Sequence, residues 1–300
     1  DLHFFHPGSG QSIGAFAERH AQAFGKGTTS ILSRLSVAVV GCSGTGSMVV
    51  ELLARLGVKR LVLIDPDHVE ERNLNRILNS GKEDAYLKRP KVEVLAKAIA
   101  RMGLGTEVEL LNENLVNESA IHAVAGCDVV FGCMDGVEGR HWVNRIATFY
   151  NLPYFDVGVR LDADGKGGID SIAGAVHYLQ PGLSSLLSRG VYSMDRVTAE
   201  ALRRTNPAEY ERQLGEGYIR GVAEDRPAVI SVNMFFASMV VNEFLARIHE
   251  YRNLRNSEYG TVQGNLSEVI LLPEPEVGEC QVLKKNVGRG DCVPLLDRPS

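Results

Sequence analysis

Three glycines and a serine separate an apolar run from a helical pattern near the start of the chain. The run at 37–41, VAVVG, has the composition of a buried strand, and apolar residues at helical spacing follow over 47–57. The loop residues are Gly41, Ser43, Gly44 and Gly46. Glycine lets the backbone approach a ligand closely, and the free N–H groups at the start of a helix attract phosphate. The stretch therefore predicts a nucleotide loop.

The spacing of this loop is not that of a dinucleotide site. The dinucleotide fingerprint is G-x-G-x-x-G, whereas the chain reads G-x-S-G-x-G, with Ser43 in place of the middle glycine. Asp65 ends the next apolar run and could accept hydrogen bonds from a ribose. NAD and ATP both contain a ribose, so Asp65 does not decide between them.

Charged residues further along the chain favour ATP. Asn73 and Arg76 are three residues apart and could present an amide and a guanidinium from one helical turn. Lys91 follows a proline at a predicted helix start and offers a second cation. Asp135, which ends another apolar run, could hold Mg²⁺ or cap the next helix. Hydride transfer needs no cation on the phosphates, whereas a departing pyrophosphate does.

Short apolar runs alternate with helical patterns over the first 160 residues. The predicted strands are at 37–41, 60–65, 106–115, 128–135 and 153–159. The predicted helices are at 47–57, 88–102, 117–125 and 138–150. This alternation indicates an α/β fold with a doubly wound, mainly parallel sheet of the Rossmann-like type.

The rest of the chain is predicted to form a helical excursion and a return to the core. The predicted parts of this single domain are an N-terminal arm at 1–30, a Rossmann-like core at 31–182, a helical crossover or lid at 183–226, and a return helix, late strand and irregular tail at 227–300. The return helix, at about 228–249, is too short in its apolar part to span a bilayer and is predicted to be buried.

Composition narrows the function classes. The net charge is −5 with both signs scattered, so the chain has no polybasic region for nucleic acid. The five cysteines form no CxxC pair, which argues against a disulfide framework and a zinc ribbon. We therefore expect a reduced, cytoplasmic protein that binds neither nucleic acid nor membrane.

The ordered motifs G-x-S-G-x-G, I-D-x-D, N-L-N-R, P-K and C-x-D resemble those of the ThiF/MoeB-like adenylyltransferases, the bacterial relatives of ubiquitin-activating enzymes. The resemblance covers roughly 15–180 and returns at 227–250. GCSGTGS and GRGDCVPLL are most similar to ThiF-type proteins of bacterial ubiquitin-like operons. The resemblance implies that ATP·Mg²⁺ adenylates the C-terminal carboxylate of a ubiquitin-like or sulfur-carrier protein, with release of pyrophosphate.

The resemblance also implies roles for individual residues. Its ATP-binding positions are Gly41, Ser43, Gly44, Gly46, Asp65, Asp67, Asn73, Arg76, Lys91 and Asp135. Asp135 would hold Mg²⁺. The implied catalytic residues are Arg19, Arg76, Lys91 and Asp135. Arg19 is the candidate for an N-terminal arginine that reaches into the partner's site across a homodimer or pseudo-dimer.

The chain departs from the family pattern at its cysteines. The two CxxC zinc pairs of simple members are missing, so no zinc is expected. Members that form a thioester place a cysteine in the crossover, yet this chain has none from 134 to 279. A thioester, and with it transfer to a conjugating enzyme, would need Cys280 or Cys292.

Three other functions compete with adenylation of a carrier protein. The chain could be the scaffold half of an activating enzyme, but Arg76, Lys91 and Asp135 favour an active half. It could act on a carboxylate that is not part of a protein, although a large excursion suits a protein partner better. An NAD dehydrogenase is the least favoured, because of Ser43 and the N-L-N-R cations.

Overall fold

The computed structural model describes residues 1–4, 14–219 and 228–291. Within them, eight strands form one mixed sheet. These strands are β1 (Ser36–Val40), β2 (Arg60–Ile64), β3 (Glu107–Leu111), β4 (Val129–Gly132), β5 (Tyr154–Ala163), β6 (Ile169–Leu179), β7 (Thr261–Asn265) and β8 (Ile270–Glu274). Their order across the sheet is β3-β2-β1-β4-β5-β6-β7-β8. The first five strands are parallel, and β6, β7 and β8 continue the sheet antiparallel.

Helices cover both faces of the sheet. They are α1 (Glu18–Leu32), α2 (Gly44–Arg55), α3 (Lys82–Tyr86), α4 (Lys91–Met102), α5 (Glu118–Ala125), α6 (Val137–Phe149), α7 (Met194–Thr205), α8 (Pro207–Gly215) and α9 (Ile230–Ile248). Val37 and Val39 of β1 pack on the side of α2, α4 and α9, whereas Ala38 and Val40 pack on the side of α5 and α6. A strand buried on both faces explains the continuous apolar run at its position.

The doubly wound sheet predicted from the sequence is confirmed, with shifted boundaries. The predicted strand at 128–135 ends at Gly132, and the one at 106–115 ends at Leu111. The predicted helix at 47–57 begins earlier, at Gly44. The predicted helix at 88–102 begins at Lys91, after a proline.

Strand β6 has no counterpart among the predicted strands because its middle is made of small residues. Gly174 lies there because the Phe236 ring of α9 packs directly on the backbone, where a Cβ would be 2.6 Å from the ring. Gly264 of β7 accommodates the same ring. Small residues remove the alternation of large apolar and polar side chains by which a strand is recognised.

Helix α9 occupies the position predicted for the return helix. Phe236, Val240 and Phe244 are fully buried against the sheet, so the prediction of a core helix is confirmed. Helices α7 and α8 lie within the predicted crossover at 183–226. In the described parts of the chain, no helix is both long and apolar enough to cross a membrane.

Candidate active site

A cleft of about 1080 Å³ opens at the carboxyl ends of β1, β2, β4 and β5. This is the edge where open α/β sheets bind their ligands. The predicted nucleotide residues that line it are Gly41, Ser43, Gly44, Asp65, Asp67, Asn73, Arg76, Lys91 and Asp135. The structure therefore brings together residues that are spread over 95 positions of the sequence, from 41 to 135.

The glycine loop is folded too tightly for side chains at two of its positions. Gly41 has a φ of +88°, and a Cβ there would lie 2.9 Å from the Met134 side chain. Gly46 lies beneath the loop, where a Cβ would be 1.8 Å from the carbonyl oxygen of Gly41. These contacts close the turn from β1 into α2, which directs the first N–H groups of α2 toward the cleft.

Asp65 is the buried acid of the cleft. Its carboxylate accepts hydrogen bonds from the backbone N–H groups of Cys42, at 2.7 Å, and Asp67, at 2.9 Å. Burial raises the pKa of Asp65 above its ordinary value, although the Lys91 ammonium and these N–H groups oppose the shift. A carboxylate fixed at this strand end has the position of a ribose acceptor.

Lys91 is the buried cation beside Asp65. Its Nζ donates to Asp67 Oδ2 at 2.7 Å and lies 3.6 Å from Asp65 Oδ1. Burial alone would lower the pKa of Lys91, but the two carboxylates outweigh it and raise the pKa. The lysine is therefore held charged at the first residue of α4, where it faces the cleft.

Asn73 and Arg76 flank the cleft on the segment after β2. Asn73 ends a short 3₁₀ helix, and its Oδ1 accepts the N–H of Glu70 at 3.2 Å. Arg76 donates from Nη1 to the Arg72 carbonyl at 2.9 Å and to Asn75 Oδ1 at 3.1 Å. Arg76 N–H bonds to the Asn73 carbonyl at 3.0 Å, so the two residues lie on one turn; that they present their side chains to one nucleotide stays a prediction.

The sequence predicted that Asp135 ends a strand, and this is wrong. Asp135 follows β4 by three residues and lies in the loop that leads to α6. Helix α7 of the crossover reaches this loop through Glu200. The Glu200 carboxylate accepts the Glu138 N–H at 2.8 Å, and Arg204 pairs with the Glu138 side chain at 2.6 Å. No sequence pattern points to Glu200, because its partner is a backbone N–H 62 residues away.

A buried ion pair that the sequence did not predict forms the other end of the cleft. Arg140 binds Asp156 through Nε, at 3.0 Å, and through Nη2. Burial alone would lower the pKa of Arg140, but Asp156 raises it instead. Gly158 leaves room for the guanidinium, since a Cβ would be 2.6 Å from Nη2. The pair gives the cleft polar N–H groups with little net charge.

The comparison with known proteins is decisive for the family. The model of the ThiF family matches residues 17–280. The chain belongs to the ThiF family. Ubiquitin-like modifier-activating enzyme 5 of Drosophila ananassae is 30% identical over 159 residues, 49% of this chain and 37% of that protein. The same enzyme of Caenorhabditis briggsae is 28% identical over 158 residues, 49% of this chain and 34% of that protein. The matched region therefore spans little more than a third of these relatives.

Solved structures share the fold of this ThiF-family chain. E. coli MccB with MccA-N7isoASN has a TM-score of 0.67 at 18% identity, covering 91% of this chain and 75% of that one. E. coli MccB with ATP has a TM-score of 0.63 at 18% identity, covering 90% and 74%. PaaA has a TM-score of 0.62 at 18% identity, covering 93% and 79%.

Among the described residues, three predicted site residues do not line the cleft: Arg19, Gly46 and Cys280. Arg19 is exposed on α1, and Cys292 lies outside the described residues. Cys280 is buried beside the crossover. Burial would raise the pKa of the Cys280 thiol, but hydrogen bonds with Ser185 and backbone N–H groups lower it. In the described parts of the chain, no group of three or more His, Cys, Asp or Glu residues could hold a metal ion.

Proposed function

We propose that this chain uses ATP to adenylate the C-terminal carboxylate of a ubiquitin-like or sulfur-carrier protein. The observation that carries the proposal is one cleft in which the glycine loop, a ribose acceptor, two cations and an exposed carboxylate converge. A hydride-transfer site has no need of the cations at Arg76 and Lys91, whereas the departure of pyrophosphate requires them.

The reaction is a nucleotidyl transfer. A carboxylate oxygen of the carrier attacks the α-phosphorus of ATP, and the bond from that phosphorus to the oxygen bridging the β-phosphate breaks. Pyrophosphate leaves with the electron pair, and the acyl-adenylate remains. Arg76 and Lys91 would stabilise the negative charge that grows on the leaving oxygens. Both side chains are already positioned by hydrogen bonds, so little reorganisation is needed.

The residues around Asp135 suit Mg²⁺. Asp135 presents oxygen, the ligand type that Mg²⁺ prefers, and Mg²⁺ usually needs only one or two protein carboxylates beside the substrate phosphates. When bound, the ion would neutralise charge on the pyrophosphate. Asp135 would hold it from the loop between β4 and α6.

A protein tail is the substrate that fits the rest of the cleft. Beyond the loop, the cleft continues along Val157, Gly158 and Val159 of β5, where an extended chain without bulky side chains could lie. Relatives named as activating enzymes for a ubiquitin-like modifier support this class.

An Arg19 contribution across a dimer belongs to the same proposal. A later thioester on Cys280 would require that thiol, now 2% exposed, to become accessible.

ATP–pyrophosphate exchange tests the proposal. Labelled pyrophosphate should enter ATP only in the presence of a ubiquitin-fold protein that ends in Gly-Gly, and not with the same protein lacking that dipeptide. Asp135→Ala should abolish the exchange, while the exposed carboxylate variant Asp170→Asn should retain it. ATP binding without exchange for any carrier would favour the scaffold function or a carboxylate outside proteins. Absence of ATP binding would refute the nucleotide site itself.

A further inference from the structure

We propose that the side-chain amide of Asn233, on α9, is a ligand of the nucleotide phosphates. The inference rests on the proposed ATP site and adds to it a residue from the far end of the chain. Asn233 lies in the first turn of a helix that is otherwise mostly apolar, and its backbone N–H bonds to the Val229 carbonyl at 3.0 Å. It lines the same cleft as the glycine loop.

The side-chain amide of Asn233 is open to the cleft. The residue is 5% exposed, and no described residue forms a hydrogen bond with its side chain. A sequence that needed only packing here would place an apolar residue in this turn, as it does at Val232 and Phe236. The amide is therefore a group that a ligand would satisfy.

The position of the amide identifies the ligand as an anion. Nδ2 lies 2.4 Å from the point where a Cβ on Gly44 would be, and the Cδ methylene of Arg76 lies 3.3 Å from the same point. Gly44 is the first residue of α2. The space of the missing side chain is thus filled by the Asn233 amide and the methylene stem of Arg76, whose guanidinium lines the same cleft. N–H groups of a helix start, an amide donor and a guanidinium all favour phosphate oxygens.

A comparison of asparagine variants on one helix tests the proposal. Asn233→Asp replaces a donor by a negative charge, and Asn242→Asp makes the same change at an exposed position of α9. Equilibrium dialysis would measure the dissociation constants of labelled ATP and labelled adenosine for each protein. We expect Asn233→Asp to weaken ATP binding by about 10- to 100-fold, because a hydrogen bond to a charged group is lost and repulsion is added. The dissociation constant of Asn233→Asp for adenosine should remain within twofold of that of the unchanged protein. Asn242→Asp should bind both ATP and adenosine within twofold of the unchanged protein.

The outcomes separate this inference from the proposed function. If the unchanged protein binds no ATP, the proposed function fails. If the unchanged protein binds ATP, and Asn233→Asp and Asn233→Ala both bind ATP as tightly as the unchanged protein does, the inference is overturned. Equal loss of ATP and adenosine would also overturn it, because the residue would then act on the whole site. Asn233→Ala removes the donor without adding charge, so it decides the question should the aspartate variant not fold.

Discussion

Replacing Gly46 by alanine should destabilise the protein, although alanine is the better helix former. Gly46 is the third residue of α2, where alanine would be favoured by about 1 kcal/mol on helix propensity alone. The added Cβ would lie 1.8 Å from the Gly41 carbonyl oxygen and 2.8 Å from its carbon. The oxygen would have to retreat to about 3.0 Å, the limit for such contacts. Both contact atoms belong to the backbone, so no side chain can rotate away.

Overpacking of this kind costs about 1–3 kcal/mol and occasionally more. Because the strain falls on the backbone, we expect a net loss of about 2 kcal/mol in the free energy of unfolding. The shifted Gly41 also distorts the loop, so ATP affinity should fall at least tenfold. Urea denaturation followed by tryptophan fluorescence would measure the loss in the free energy of unfolding, since Trp142 is the only tryptophan and lines the cleft. Equilibrium dialysis would measure the second.

Gly215→Ala provides the matched control. Gly215 ends α8, and no atom lies within 4 Å of its added Cβ. This variant should be as stable as the unchanged protein or more so. If Gly46→Ala behaved like Gly215→Ala, the steric reasoning would be refuted. Normal ATP affinity in a destabilised Gly46→Ala would refute the role of the loop in phosphate binding.

Two further predictions concern buried charge. Lys91→Met should lower the rate of pyrophosphate exchange by about 100-fold or more, whereas Lys97→Met, on the exposed face of the same helix, should leave it unchanged. Burial lowers the pKa of both His141 and His177 to about 4. Since the unfolded chain binds more protons between pH 6.5 and 4, stability should fall through this window as the pH falls, by about 1.4 kcal/mol per unit for each histidine. When both histidines are changed to glutamine, the free energy of unfolding, measured by equilibrium urea denaturation at several pH values, should depend less steeply on pH.

The residues that could be predicted from the sequence are those whose role depends on local order. The glycine loop, Asp65 and Lys91 each stand at the junction of a strand or loop with a helix, and such junctions leave a pattern in the sequence. The edge of a parallel sheet then brings the junctions together without further information. This is why the cleft contains nearly the whole predicted set.

The residues that could not be predicted act through distant partners. Arg140 is recognisable only once Asp156 of β5 lies beneath it, and the sequence shows merely an arginine in a helix. In the sequence, Asn233 is merely a polar residue within an apolar stretch. Its place beside Gly44, 189 positions earlier in the chain, depends on how α9 packs on α2. Sequence patterns describe neighbours along the chain, so contacts of this kind leave no trace in them.

The occupancy of helix N-termini around the cleft decides where phosphates can bind. The N-terminus of α6 is already capped by the Glu200 carboxylate, which would repel a second anion. At the N-terminus of α4, the Lys91 N–H donates to the Asp67 carbonyl at 3.1 Å. At the N-terminus of α2, Ser43 provides no side-chain cap. Phosphates at α2 would meet Arg76 and Asn233, and Lys91 and Asp135 line the same cleft. We therefore propose that the nucleotide phosphates bind at α2, while Glu200 of the crossover occupies the N-terminus of α6.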